Sequence, residues 1–233
     1  MFRFNNDYNR GAHPEILKAL AQNNEESYPG YGADRWCERA QAEILKHLGG
    51  VKAQVHFIVG GTPTNATLIA AALRPWQSVI SVDTGHINAH EAGSIELTGH
   101  KVLAVPAENG KLTARAVEAE CRRYLDGGAP EYLTQPKLAY ISSPSEFGTV
   151  YAKAELEELS AVCKKYGLYL FLDGARLGYW LASEGCDVTL ADLARLTDAF
   201  YIGGTKCGAL FGEALVLGNP ALQDHFRTCM KQR

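Results

Sequence analysis

The residues of this chain that could do chemistry fall just after short apolar runs, and a lysine is the most informative of them. Lys206 lies in Gly203-Gly204-Thr205-Lys206-Cys207-Gly208, between two apolar segments. Partial burial there would lower the amine pKa, as a lysine that forms a Schiff base with a carbonyl requires. A solvated loop lysine is the plainer alternative. Asp173 closes the run Leu170-Phe171-Leu172 and is followed by Gly174-Ala175-Arg176. A carboxylate at the end of an apolar strand needs a cationic or N–H partner. Arg176 could neutralise it and close the strand end, or it could bind a substrate carboxylate through both arms of its guanidinium. The run also looks like a Walker B strand, but the chain has no Gly-Lys-Ser/Thr phosphate loop to accompany one.

Two further segments have the same placement. In Val59-Gly60-Gly61-Thr62-Pro63-Thr64-Asn65, Thr62 is expected to cap a helix, with Pro63 at its first position. Gly60 and Gly61 would let backbone N–H groups approach an anion, so the segment reads as a phosphate cup or as a tight, well-capped turn. In Asp83-Thr84-Gly85-His86-Ile87-Asn88-Ala89-His90-Glu91, the ring of His86 could stack on a planar ligand. His86, His90 and Glu91 invite a metal reading, but they do not form His-Glu-x-x-His and no third ligand is fixed by spacing. Near the N-terminus, Asn5-Asn6-Asp7-Tyr8 and Tyr28-Pro29-Gly30-Tyr31-Gly32 offer polar and aromatic pocket-lining groups, Asn6 and Tyr31 among them.

These residues need a scaffold, and the hydropathy pattern supplies one. Helical spacing is expected over 13–23, 34–50, 62–74, 88–99, 112–125, 153–167 and 189–196. Apolar runs at 55–59, 78–82, 101–105, 137–142, 168–172, 198–203 and 209–218 read as strands. Continuous apolar strands separated by helices imply an α/β fold with a mostly parallel sheet flanked by helices on both faces. Such sheets bind ligands beyond the carboxyl ends of their strands, where the residues above fall.

Composition narrows the function classes. The 233 residues are 46% apolar and 21% charged, with 23 Lys+Arg against 26 Asp+Glu. A net charge of −3 gives no reason to expect a nucleic-acid partner. No stretch resembles a signal peptide or a membrane span. Cys37, Cys121, Cys163, Cys186, Cys207 and Cys229 are widely spaced, which favours free thiols in a reducing cytoplasm over a disulfide framework. The 23 glycines occur in local clusters and not as a repeat.

A phosphate cup, a stacking ring, a strand-end acid, an arginine and a secluded lysine form the set that a pyridoxal phosphate site needs. The lysine carries the cofactor, the acid keeps the pyridine nitrogen protonated, and the arginine holds an amino-acid carboxylate. The ordered segments GGTPTN, HINAHEAG, LDGARLG and GGTKCG resemble the low-specificity L-threonine aldolases of the β-eliminating-lyase group. The resemblance runs from Asn6-Asp7-Tyr8 to Leu217 and implies the large domain of a fold-type-I pyridoxal phosphate enzyme. It implies Lys206 as the Schiff-base lysine, Asp173 as the partner of the pyridine nitrogen and His86 as the stacking ring, these three being the catalytic set. It further implies Gly61 and Thr62 in the phosphate cup, Thr205 beside the cofactor, Arg176 toward both cofactor and substrate, and Asn6 and Tyr31 toward the substrate.

The implied reaction is retro-aldol cleavage of a β-hydroxy-α-amino acid to glycine and an aldehyde, by a homodimer or homotetramer. A lyase or aminotransferase of other specificity, or a cofactor-binding homologue without activity, shares the same machinery. Asn6 stands where the family often has serine, and Thr-Lys-Cys replaces its commoner Ser-Lys-Gly. Ser143-Pro144-Ser145-Glu146-Phe147 replaces a histidine-bearing segment, and no histidine occurs between His100 and His225. The resemblance therefore names no base for the hydroxyl proton. By the same comparison, residues 1–20 form an N-terminal segment and 21–233 the cofactor-binding large domain. A C-terminal small domain is expected to be largely missing.

Overall fold

The apolar runs become the strands of one sheet in the computed structural model, which describes residues 4–233. The strands are β1 (Gln54–Ile58), β2 (Gln77–Val82), β3 (Lys101–Val105), β4 (Gln135–Ser142), β5 (Tyr169–Asp173), β6 (Ala199–Gly203) and β7 (Glu213–Leu217). Their order is β1-β7-β6-β5-β4-β2-β3. Strands β6, β5, β4, β2 and β3 pair in parallel, and β7 alone runs the other way, antiparallel to both β1 and β6. The mostly parallel α/β sheet expected from sequence is what forms.

The helices are α1 (Pro14–Asn23), α2 (Arg35–Lys46), α3 (Gly61–Ala72), α4 (His86–Ala89), α5 (Ser94–Leu97), α6 (Ala114–Asp126), α7 (Lys153–Tyr166), α8 (Leu177–Leu181), α9 (Leu190–Leu196) and α10 (Phe226–Gln232). Side chains alternate along a strand, so a continuous apolar run feeds two cores. Ile80, Val82, Ala139, Ile141, Leu170, Leu172 and Phe200 pack under α6, α7 and α9 on one face. Leu138, Tyr140, Phe171 and Tyr201 pack against Leu68 and Ile69 of α3, Ile95 of α5 and Phe226 of α10 on the other. Burying each large apolar side chain contributes about 1.5–3 kcal/mol, which is what holds the sheet between its helices.

Several elements differ from expectation. The single helix expected over 88–99 is split into α4 and α5, because Ala92 (φ 52°) and Gly93 (φ 75°) take the left-handed conformation between them. That break turns Glu91 inward, with its side chain fully buried. The strand expected over 209–218 begins only at Glu213, since the preceding residues belong to the lysine loop. Helices α8, of five residues, and α10, of seven, lie outside the elements expected from sequence. Helix α1 buries no side chain and runs through residue 20.

The carboxyl ends of β1, β2, β4, β5 and β6 meet at one edge of the sheet. Because β7 is reversed, its first residue, Glu213, joins them there, in register with Gly203 of β6 and Ile58 of β1.

Candidate active site

A cavity of about 310 Å³ opens at that edge, lined by Lys206, Asp173, Arg176, His86, Gly61, Thr62 and Thr205 together with Tyr8, Glu146 and Glu213. Asp173 is 5% exposed and is held by four donors. Its Oδ1 accepts from Tyr201 Oη at 2.5 Å and the Ala175 N–H at 3.0 Å, and its Oδ2 accepts from Tyr140 Oη at 2.5 Å and Asn65 Nδ2 at 3.2 Å. Tyr140 and Tyr201 flank Phe171 on neighbouring strands, so the sheet itself aims both hydroxyls at the end of β5. Burial and the adjacent Asp173 charge hold both phenols well above their ordinary pKa, which keeps them protonated as donors. The strand-end acid is thus clamped by neutral groups, and the Asp173–Arg176 pair considered from sequence does not form.

Arg176 turns to Asp7 instead, donating through Nε and, at 3.2 Å, through Nη2. Burial works to raise the Asp7 carboxyl, and the hydrogen bond and charge of Arg176 outweigh it, leaving it below its ordinary value.

His86 opens α4, and its Nδ1 lies 2.7 Å from Glu91 Oε1. An ionised carboxylate only accepts, so Nδ1 carries the proton. That bond to Glu91 raises the imidazole pKa against the opposing effect of burial, with Asp173 adding to the rise. Asn65 links the two acids: its Nδ2 donates to Glu91 at 2.7 Å as well as to Asp173. His90 stacks obliquely beside His86 at 5.7 Å, and among the described residues no group of three or more metal-ligating side chains is assembled.

The cap of helix α3 falls two residues earlier than expected. Gly60, in extended backbone, is the N-cap, no side chain caps the helix, and Thr62 lies inside the first turn. Pro63 follows within that turn, and Thr64 closes it through its N–H and hydroxyl to the Gly60 carbonyl. The first N–H groups of a helix have no partner within it, so Gly61 and Thr62 leave donors at the cavity wall. A Cβ on Gly61 would come 3.0 Å from the Tyr201 hydroxyl, so a larger residue would press on the Asp173 clamp.

Lys206 sits on a single helical turn, Thr205–Cys207, at the end of β6. Glu213 shapes this turn, accepting from the Gly204 N–H and the Thr205 hydroxyl, both at 2.9 Å. Burial raises the Glu213 carboxyl pKa. The Lys206 carbonyl accepts from Tyr179 Oη at 2.9 Å, and Nζ lies 5.9 Å from the Tyr8 ring centroid. Among the described residues no carboxylate forms a salt bridge with the Lys206 ammonium.

Asn6 and Tyr31 are not among the residues lining this cavity. Asn6 folds back on its own turn, where Oδ1 accepts from the Tyr8 N–H at 3.2 Å, and the N-terminal segment reaches the cavity through Asp7 and Tyr8. Tyr31, 79% exposed, borders a different cleft with Cys37, His56, Arg227 and Lys231, and its carbonyl accepts from Arg227 Nη2. The sequence reading gave no role to Tyr140, Tyr201, Asn65 or Glu213. A polar oxygen recurring within apolar strands β4 and β6 was the one available signal for the two tyrosines.

The family model of the beta-eliminating lyases matches residues 10–233. The chain belongs to this family. It is 33% identical over 232 residues to a low specificity L-threonine aldolase of Pseudomonas aeruginosa, covering 99% of this chain and 66% of that protein. A second such aldolase, from a Pseudomonas sp., is 32% identical over 99% of this chain and 66% of its own length. The chain therefore spans just under two thirds of these relatives. A solved threonine aldolase of Leishmania major superposes with a TM-score of 0.93 at 50% identity, covering 97% of this chain and 65% of that one. A Thermus thermophilus aspartate aminotransferase, at a TM-score of 0.74 and 18% identity over 96% of this chain and 61% of its own, shares the fold alone. The fold is that of the fold-type-I pyridoxal phosphate enzymes.

Proposed function

We propose that this beta-eliminating lyase family member binds pyridoxal 5′-phosphate and cleaves β-hydroxy-α-amino acids of the threonine type to glycine and an aldehyde. The observation that carries the reading is the meeting, in one cavity, of the Lys206 amine with the clamped Asp173 carboxylate and the uncapped start of α3. When bound, the cofactor supplies a carbonyl for an amine and a ring that accepts electron density as a bond at Cα breaks.

The residues fit that group. Lys206 offers an amine without a carboxylate partner, and Glu213 fixes the turn that presents it. Asp173 lines the cavity and four donors hold it in place, which would set a fixed carboxylate beside a ring N–H. The Gly61 and Thr62 N–H groups would take the phosphate at the positive end of α3, with Thr205 alongside. His86, fixed by Glu91, would cover the ring face. Arg176 would hold the amino-acid carboxylate once that group displaces Asp7. The relatives' names, which specify threonine as substrate, support this choice over other lyases.

Assembly into a homodimer or homotetramer belongs to the same reading, supported by the exposed apolar side chains Leu17, Leu20 and Trp36 on α1 and α2. So does a cytoplasmic location, supported by six unpaired thiols. No helix among the described residues is long and apolar enough to cross a membrane. The test is chromatographic detection of glycine from L-threonine and L-allo-threonine by the cofactor-loaded chain. Glycine is expected from at least one, and a loaded chain that releases none from either would overturn the aldolase assignment.

A further inference from the structure

Glu146 lines the same cavity, on the loop that follows β4, and its two oxygens are used unequally. Oε1 accepts from the His86 N–H and from Ser142 Oγ, both at 3.0 Å. Oε2 is shut away from solvent and has no hydrogen-bond partner. The loop around it is held in place: Ser145 bonds Thr149 through both backbone and hydroxyl, and the Ser143 N–H donates to the Asp173 carbonyl at 3.1 Å.

A buried acceptor with nothing to accept destabilises the chain, and such groups in folded proteins have a reason. An ionised carboxylate can only accept, so the missing partner must bring a hydrogen, as a hydroxyl does and a phosphate or carboxylate does not. In the proposed reading the phosphate falls to α3, the ring to Asp173 and His86, and the substrate carboxylate to Arg176. The β-hydroxyl is left without a protein partner. His86, with Nδ1–H given to Glu91, is spent on the ring face in that reading, and His90 is exposed at the rim, where water can satisfy it.

We infer that the Glu146 carboxylate, which lines the cavity, shifts on substrate binding so that Oε2 accepts the β-hydroxyl and takes its proton during cleavage, an inference that rests on the proposed aldolase reading. The O–H bond breaks toward Oε2 as Cα–Cβ breaks, and the hydroxyl-bearing carbon becomes the aldehyde carbonyl. The electron pair of Cα–Cβ stays with the glycine carbon, which takes up one proton. The substrate divides into two products without oxidant or reductant.

Glu146→Gln keeps an acceptor at Oε1 for His86 and Ser142 and removes the proton-accepting oxygen. Four measurements on parent and variant test the inference: formation of the Lys206 adduct with pyridoxal phosphate, exchange of the glycine α-proton in deuterium oxide, aldehyde release from threonine, and thermal unfolding without cofactor. The variant should load and exchange within about twofold of the parent yet release aldehyde more than ~100-fold more slowly, the usual reach of a general base. Thermal unfolding of the cofactor-free variant should occur no lower than that of the parent, since no satisfied bond is lost. Aldehyde release within about threefold of the parent would overturn the inference. So would exchange or thermal stability that falls along with cleavage, which marks a structural role. A parent that forms no adduct, or forms one and releases no aldehyde, would instead overturn the underlying reading and this inference with it.

Discussion

Arg176 gives both Nε and Nη2 to the carboxylate of Asp7, tying the N-terminal segment to the far end of β5. Asp7 thus occupies the guanidinium that the account reserves for the substrate carboxylate. The pair is partly exposed, and such pairs contribute about 1 kcal/mol or less. Asp7→Asn should therefore tighten glycine binding to the cofactor-loaded chain by roughly two- to fivefold, read by spectral titration. Weaker binding would mean that Asp7 orients Arg176 and does not compete for it.

The two tyrosines are the strongest donors to Asp173. Removing one hydroxyl from a buried carboxylate costs about 1.5–3 kcal/mol. Tyr140→Phe and Tyr201→Phe should each lose that much in chemical denaturation, and the double variant should depart from additivity because both bonds serve one acid. Losses below about 0.5 kcal/mol would show that the clamp is not a structural element.

Gly174 is required by close approach. A Cβ there would come 1.9 Å from the Tyr201 carbonyl oxygen, whereas one on Gly11 would meet nothing within 4 Å. Gly174→Ala should destabilise by about 3 kcal/mol or more through forced backbone displacement, and Gly11→Ala should be near neutral. Denaturant midpoints of the two variants make the comparison.

Glu91 raises the His86 pKa above 6.5. A raised folded-state value means that the bond's contribution is fully present below 6.5 and is lost as pH rises through the folded-state value. Glu91→Gln should move the His86 midpoint downward in an NMR titration and flatten that part of the stability profile. An unchanged midpoint would remove Glu91 as the cause.

Much of this site was legible because each strand-end residue follows an apolar run whose identity is local. Asp173, Lys206, His86 and the paired glycines before α3 needed only the rule that ligands gather at the carboxyl ends of parallel strands. The partners of those residues were not legible. Asn65 meets Asp173 across 108 positions and Arg176 meets Asp7 across 169, contacts between segments that only the folded chain brings together. Glu91 had no partner assigned from sequence, and a left-handed pair of residues turns it inward onto His86. Glu213 enters the site because β7 is antiparallel, which its composition did not reveal. Tyr31 carried a polar aromatic signal suited to any cleft, and its cleft is another one.

The central claim is that Lys206 carries the cofactor. The most direct measurement is borohydride reduction of the chain after incubation with pyridoxal phosphate, followed by peptide mass spectrometry of parent and Lys206→Ala. The account predicts a single phosphopyridoxyl modification on Lys206, with loss of the yellow absorbance in the variant. Absorbance and reducible adduct retained in Lys206→Ala, or no adduct in the parent, would contradict it.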